Sequence, residues 1–143
     1  MELSAEHTKS AGAEPQPVKP LPFLVKLTAL LLIVYGFIGF GYYLFTLIYS
    51  LSNPHFLDTL KFNGFEGNML FIPLSVEVVV HIAVMMSGFF LLYKKKSGLY
   101  FYYFAVLFSL FFFVVFTAYL NYTEIAIGSL MFFVLWGYRS RLE

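Results

Sequence analysis

Four long apolar segments constrain this 143-residue chain more than any other feature of its sequence. They cover residues 24–49, 71–93, 98–120 and 122–138, and no segment holds more than one Asp, Glu, Lys or Arg. A helix needs about 20 apolar residues to cross the hydrocarbon core of a bilayer, with some latitude on either side. We therefore expect four membrane-spanning helices, the fourth being the shortest.

The overall composition also indicates that lipid, and not water, surrounds the folded chain. Hydrophobic residues make up 60% of the chain and charged residues only 12%, far from the averages of water-soluble domains. The first segment is too long for the apolar core of a secretory signal, and no small-residue cleavage pattern follows it. Cysteine is absent, which excludes disulfides and thiolate metal sites, and a net charge of +1 gives no reason to expect nucleic acid as a partner.

Basic residues predict the orientation, because loops rich in Lys and Arg stay on the cytoplasmic side. Of the nine, only Lys61 falls on the other side of the predicted membrane. The eight that agree with two cytoplasmic termini are Lys9, Lys19, Lys26, Lys94, Lys95, Lys96, Arg139 and Arg141. We expect a bacterial inner-membrane protein, in which the three consecutive lysines act as a topology signal or also contact anionic lipid.

Connection lengths predict how the spans follow one another. The turns between spans two and three and between spans three and four are too short for anything except antiparallel neighbours. Span one joins span two through a longer outer connection, where Asn53-Pro54 is typical of a helix start: we expect Asn53 as N-cap of a short interfacial helix, the alternative being an ordinary loop. Residues 1–20 are expected to be a disordered tail, and residues 21–143 a single all-α, four-helix membrane domain.

Aromatic side chains that prefer the membrane interface support the same arrangement. Those predicted to lie near the inner boundary are Tyr93, Tyr100, Tyr102, Trp136 and Tyr138.

Glu77 and His81 are the main functional candidates, because ionisable residues inside a span are costly and usually have a role or a partner. Their spacing of four places them on one helix face. Span one should bring Tyr42 and Tyr43 to the depth of Glu77, and Tyr35 closer to the middle of the membrane. Three interpretations stay open: a helix-joining polar pair, a site for a ligand or proton, and a metal or haem site.

A metal is the weakest of these interpretations, and we predict none. His81 is the only histidine in a span, whereas haem usually takes two axial ligands and catalytic zinc three protein ligands.

Small residues predict where helices approach closely. Gly36 and Gly39 in span one and Gly88 in span two would permit tight backbone contact. Gly36, Gly39 and Gly41 do not form a phosphate-binding loop, because no strand precedes them and no lysine adjoins them.

The pattern of spans, with Glu77 early in span two, glycine and leucine at residues 88–92, a basic inner turn and Glu124 opening span four, resembles the DoxX-like bacterial inner-membrane proteins. The resemblance covers about the whole span region. It implies a four-helix membrane bundle and, for some relatives, a link to quinone-dependent oxidation. Only Glu77 is carried over as a site residue.

Our first expectation for function is a non-enzymatic accessory or structural subunit of a larger membrane complex, because little of the chain lies outside the membrane. The partners would be lipid, other membrane proteins or further copies of the chain. A second expectation is a small homo-oligomeric, proton-coupled transporter or binder that uses Glu77 and His81. A third is a quinone- or haem-associated electron-transfer subunit. We predict no cofactor, with quinone as the alternative.

Overall fold

The computed structural model describes residues 20–62, 65–117 and 122–142. Within them the protein is all-α, as predicted, except for one pair of very short strands. The five helices are α1 (Phe23–Ser52), α2 (Pro54–Leu57), α3 (Phe71–Leu92), α4 (Ser97–Thr117) and α5 (Tyr122–Gly137). Residues 1–19 of the predicted tail lie outside the described part of the chain.

Among the described residues, three helical segments are long and apolar enough to cross a membrane: Phe23–Ser52, Gly67–Leu92 and Ser97–Phe116. The apolar part of α5, Ile125–Gly137, is shorter. These segments are rich in aromatic and β-branched residues, which are mediocre helix formers in water. A backbone surrounded by hydrocarbon must satisfy its own hydrogen bonds, and a helix does so within one segment. In the part of the chain that the structure describes, Pro73 is the only proline inside a long helix. It lies in the first turn of α3, where its missing N–H costs nothing.

The central helix is α3. It packs most extensively against α1 and, on another face, against α4, whereas α5 makes smaller contacts with α4 and α1. Of its apolar window, 44% is buried inside the protein, against 28% for α1 and for α4. A larger share of α3 is therefore shielded by the rest of the protein than of either neighbour.

Large apolar side chains cover the outward faces of the helices. Phe37 and Phe45 of α1, Leu107 and Phe111 of α4, and Phe133 of α5 are all at least 64% exposed. Water-soluble monomers rarely expose apolar surface so continuously, whereas hydrocarbon solvates it without penalty.

The connection between α1 and α3 folds over one end of these helices. The buried side chains of Leu57, Leu70 and Leu74 form a second, smaller core there. Strands β1 (Lys61–Phe62) and β2 (Phe65–Glu66) pair antiparallel within this connection. The pairing was not predicted, although Asn-Gly between two short strands is a strong hairpin signal.

The predicted short helix in this connection is present as α2, in which Pro54 opens the helix and Asn53 occupies the predicted N-cap position. Its side chain makes no capping hydrogen bond to α2. Instead, its Nδ2 donates to the Tyr49 carbonyl oxygen at 3.4 Å, at the end of α1. Asn53 is the one residue between α1 and α2, and its side-chain amide hydrogen-bonds to the end of α1 and not to the start of α2.

The turn between α3 and α4 depends on Lys94, whose φ of 59° lies in the left-handed region. This conformation lets the Lys95 N–H donate to the Phe90 carbonyl oxygen at 2.8 Å, which closes the helix in the manner of a Schellman motif. Across the turn, the buried Ser87 hydroxyl donates to the Gly98 carbonyl oxygen at 2.7 Å. The first turn of α4 is therefore tied to the last turns of α3.

Candidate functional site

Glu77 and His81 form a buried pair on α3. Glu77 is 6% exposed and His81 4%. One carboxylate oxygen of Glu77, Oε2, lies 3.3 Å from His81 Nδ1. The helix geometry brings them together, since residues four apart lie one turn above each other on the same face.

The backbone fixes which nitrogen of His81 carries a proton. Nδ1 lies 2.8 Å from the carbonyl oxygen of Glu77, and a carbonyl oxygen only accepts hydrogen bonds. We therefore assign a proton to Nδ1, which also donates toward the Glu77 carboxylate. A neutral imidazole with this tautomer satisfies both contacts, so the geometry does not require a charged histidine.

Two tyrosines of α1 pack against the His81 ring. The ring centroids of Tyr35 and Tyr43 lie 5.1 Å and 5.0 Å from that of the imidazole, at tilted angles. Tyr42 is placed differently: it is 61% exposed and packs edge-on against Tyr43. Of the three tyrosines proposed from the sequence, Tyr35 and Tyr43 therefore join the pair, whereas Tyr42 points away from it.

Glycines bring α1 close enough for this arrangement. A Cβ atom at Gly36 would lie 2.7 Å from the backbone nitrogen of Met85, and one at Gly39 would overlap the His81 ring. Further along the same contact, a Cβ atom at Gly88 would lie 2.5 Å from the carbonyl oxygen of Ala29. All three predicted packing glycines lie in the contact between α1 and α3, whereas Gly41 has open space around it.

A cavity of about 580 Å³ adjoins the pair. Residues from all four long helices line it, and most of them are apolar. Its polar and ionisable wall is formed by Glu77, His81, Tyr35, Tyr43 and Tyr102, with Ser109 and Ser129. The α4 and α5 part of this wall could not be predicted from the sequence, because both helices are apolar on every side.

Tyr102 is the main site residue that the sequence analysis did not include. We predicted it near the inner boundary of the membrane, and the structure shows that it is 4% exposed and faces the protein interior. Its hydroxyl donates to the Gly128 carbonyl oxygen of α5 at 3.0 Å. By contrast, Tyr93 and Tyr100 are 74% and 69% exposed. Neighbouring tyrosines on one helix face different surroundings, and the sequence does not say which tyrosine faces inward.

The other candidate groups lie apart from the cavity. The turn between α3 and α4 contains Lys94, Lys95 and Lys96, and none of these lysines lines the cavity. Among the described residues, no three His, Asp or Glu side chains are grouped closely enough to hold a metal ion.

Comparisons with protein-family models, with curated proteins and with solved structures find no match to this chain. The geometry of the site itself is therefore the basis for inferring the function of this protein.

Proposed function

We propose that this protein is a four-span integral membrane protein that binds a small lipophilic molecule next to Glu77 and His81. The observation that carries the proposal is the cavity of about 580 Å³ that has this pair in its wall. Ligand sites in proteins typically measure about 300–1,000 Å³ and combine an apolar lining with a few placed polar groups. Residues of a single chain form the cavity, so binding does not require a second copy.

The four-span topology is part of the proposal, with both termini in the cytoplasm of a bacterial cell. Contacts that pair Ala29 with Gly88 and Gly39 with His81 run in opposite directions along α1 and α3, which supports antiparallel packing. A span of 16 residues such as α5 would rise about 24 Å, which a slightly thinned bilayer accommodates. Membership in the DoxX-like group stays within the proposal, supported by Glu77 and the basic turn at residues 94–96.

Equilibrium binding to the purified protein in lipid nanodiscs tests the proposal. The probes are tetraphenylphosphonium, tetraphenylborate and decylubiquinone, which are a lipophilic cation, a lipophilic anion and a neutral quinone. We expect at least one to bind saturably and beyond its partition into protein-free nanodiscs. The quinone also tests the electron-transfer interpretation.

A cavity-filling variant and a matched control locate the binding. A Cβ atom at Gly128 would have its nearest neighbour at 3.6 Å, so Gly128→Leu can place its side chain in the cavity that Gly128 lines. Gly137→Leu makes the same change on the same helix, where a Cβ atom meets nothing within 4 Å. Binding should be lost in the first variant and kept in the second. If no probe binds saturably, or if Gly128→Leu binds like the unchanged protein, the proposal is wrong.

An accessory subunit of a larger membrane complex is the second candidate function. The observation in its favour is that α1, at 30 residues, packs extensively against α3 alone among the long helices. Its remaining apolar faces are available to a neighbouring membrane protein as well as to lipid. Native gel separation after extraction in a mild detergent tests this function, and a monomer or homodimer without a companion would count against it.

A further inference from the structure

We infer that the ligand is a lipophilic organic cation, for which the Glu77 carboxylate is the counter-ion. The inference depends on the proposed function, because it assigns a ligand class to the same cavity. It is carried by the charge and the aromatic character of the cavity wall.

The wall is electrostatically one-sided. Of the described residues that line the cavity, Glu77 is the only carboxylic acid, and none is Lys or Arg. A neutral His81 imidazole is sufficient for both of its contacts to Glu77. A carboxylate held away from water is unfavourable without an opposite charge, and no Lys or Arg among the described lining residues supplies one. A cation in the cavity would provide the opposite charge.

Aromatic rings line the same cavity as the Glu77 carboxylate. Tyr35, Tyr43, Tyr102 and Phe113 all line the cavity. The faces of such rings attract organic cations, most strongly where water is excluded. Most of the remaining wall is aliphatic, with Phe132 and Phe133, and suits the apolar substituents of an amine, a quaternary ammonium or a phosphonium ion.

An anionic ligand is disfavoured by the same arrangement, since it would meet the Glu77 carboxylate with no Lys or Arg to compensate among the described lining residues. A neutral ligand would use the tyrosine hydroxyls and gain nothing from the charge of Glu77. The three classes therefore differ in how strongly their binding depends on that one side chain.

Tetraphenylphosphonium and tetraphenylborate provide the test, because they share a shape and differ in the sign of their charge. In nanodiscs, after subtraction of the protein-free signal, we expect saturable binding of the phosphonium that is at least about tenfold tighter than that of the borate. Glu77→Gln should weaken phosphonium binding by at least about tenfold, because it keeps the shape and an oxygen acceptor for His81 but removes the charge. Glu77→Asp should keep the preference for the cation.

Glu66→Gln is the matched control, since it makes the same change at an exposed residue of β2. It should bind phosphonium like the unchanged protein. Equal binding of the two ions, or full binding by Glu77→Gln, overturns the assignment of a cation. If decylubiquinone alone binds and Gly128→Leu abolishes it, the cavity is a ligand site and only the cation is wrong. If none of the three probes binds, both proposals fail.

Discussion

The imidazole of His81 occupies the space that a side chain at Gly39 would fill. A Cβ atom built on Gly39 would overlap the Cδ2 and Nε2 atoms of the ring. The absence of a side chain in α1 thus decides where the histidine of α3 can lie, and through it the position of the Glu77 carboxylate, 3.3 Å from Nδ1. The site depends on a contact between two helices as much as on its ionisable groups.

Gly39→Ala should therefore destabilise the protein by about 1–3 kcal/mol, as expected for an overpacked contact that cannot relax freely. Gly41→Ala is the matched control, because it adds the same methyl group to the same helix where nothing lies within 4 Å. Thermal and denaturant unfolding in detergent, followed by circular dichroism, measures both variants. Equal stability of the two variants would contradict the close contact between Gly39 and His81.

Ser87→Ala should cost about 0.5–1.5 kcal/mol, because it removes a buried hydrogen bond from α3 to the Gly98 carbonyl oxygen of α4. Ser75→Ala serves as the control. Ser75 is exposed, and its hydroxyl donates at the same distance, 2.7 Å, to Phe71 of its own helix. Denaturant unfolding measures the stability of both variants. A Ser75→Ala variant less stable than Ser87→Ala would count against the structure.

Tyr102→Phe should lower stability by about 0.5–1.5 kcal/mol, since the Tyr102 hydroxyl joins α4 to the Gly128 carbonyl oxygen of α5. The neighbouring change, Tyr103→Phe, should be neutral or stabilising. The Tyr103 hydroxyl oxygen is buried and has no hydrogen-bond partner among the described residues. Fluorescence of Trp136, whose ring centroid lies 6.2 Å from that of Tyr103, reports unfolding in both variants. The reverse order of stabilities would refute the assigned hydrogen bond.

Single cysteines can test the proposed topology, because the chain contains none of its own. Asp58→Cys, in the connection after α1, should react with a membrane-impermeant maleimide in intact spheroplasts. Lys95→Cys and Ser140→Cys should react only after the membrane is permeabilised. All three positions are exposed in the structure.

Ser140→Cys decides between three and four spans. If α5 does not cross the membrane, this position lies on the same side as Asp58 and is labelled in intact spheroplasts. Labelling of Lys95→Cys without permeabilisation would instead show that the predicted orientation is inverted.

The fold class and the bounds of the helices were largely predictable. Long apolar segments can satisfy their backbone in hydrocarbon only as helices, so residues 71–93 predicted α3 (Phe71–Leu92) closely. The first predicted span, residues 24–49, is shorter than the observed helix α1 (Phe23–Ser52). At its C-terminal end the helix continues further than predicted, because Ser50 and Ser52 continue a helix as readily as they end one. The paired strands in the connection between α1 and α3 were missed, since each is only two residues long.

The sequence by itself determined that Glu77 and His81 share a helix face and that Gly36, Gly39 and Gly88 can admit a neighbouring backbone. Both conclusions follow from the helical repeat and from side-chain size, which are local properties. Only the tertiary structure decided that Tyr35 and Tyr43 join the pair without Tyr42, that Tyr102 faces inward, and that α4 and α5 complete a cavity. In α4 and α5 apolar residues lie on every side, so hydrophobic periodicity does not indicate which face meets the protein. Packing against the neighbouring helices, α3 for α4 and α4 with α1 for α5, makes that choice.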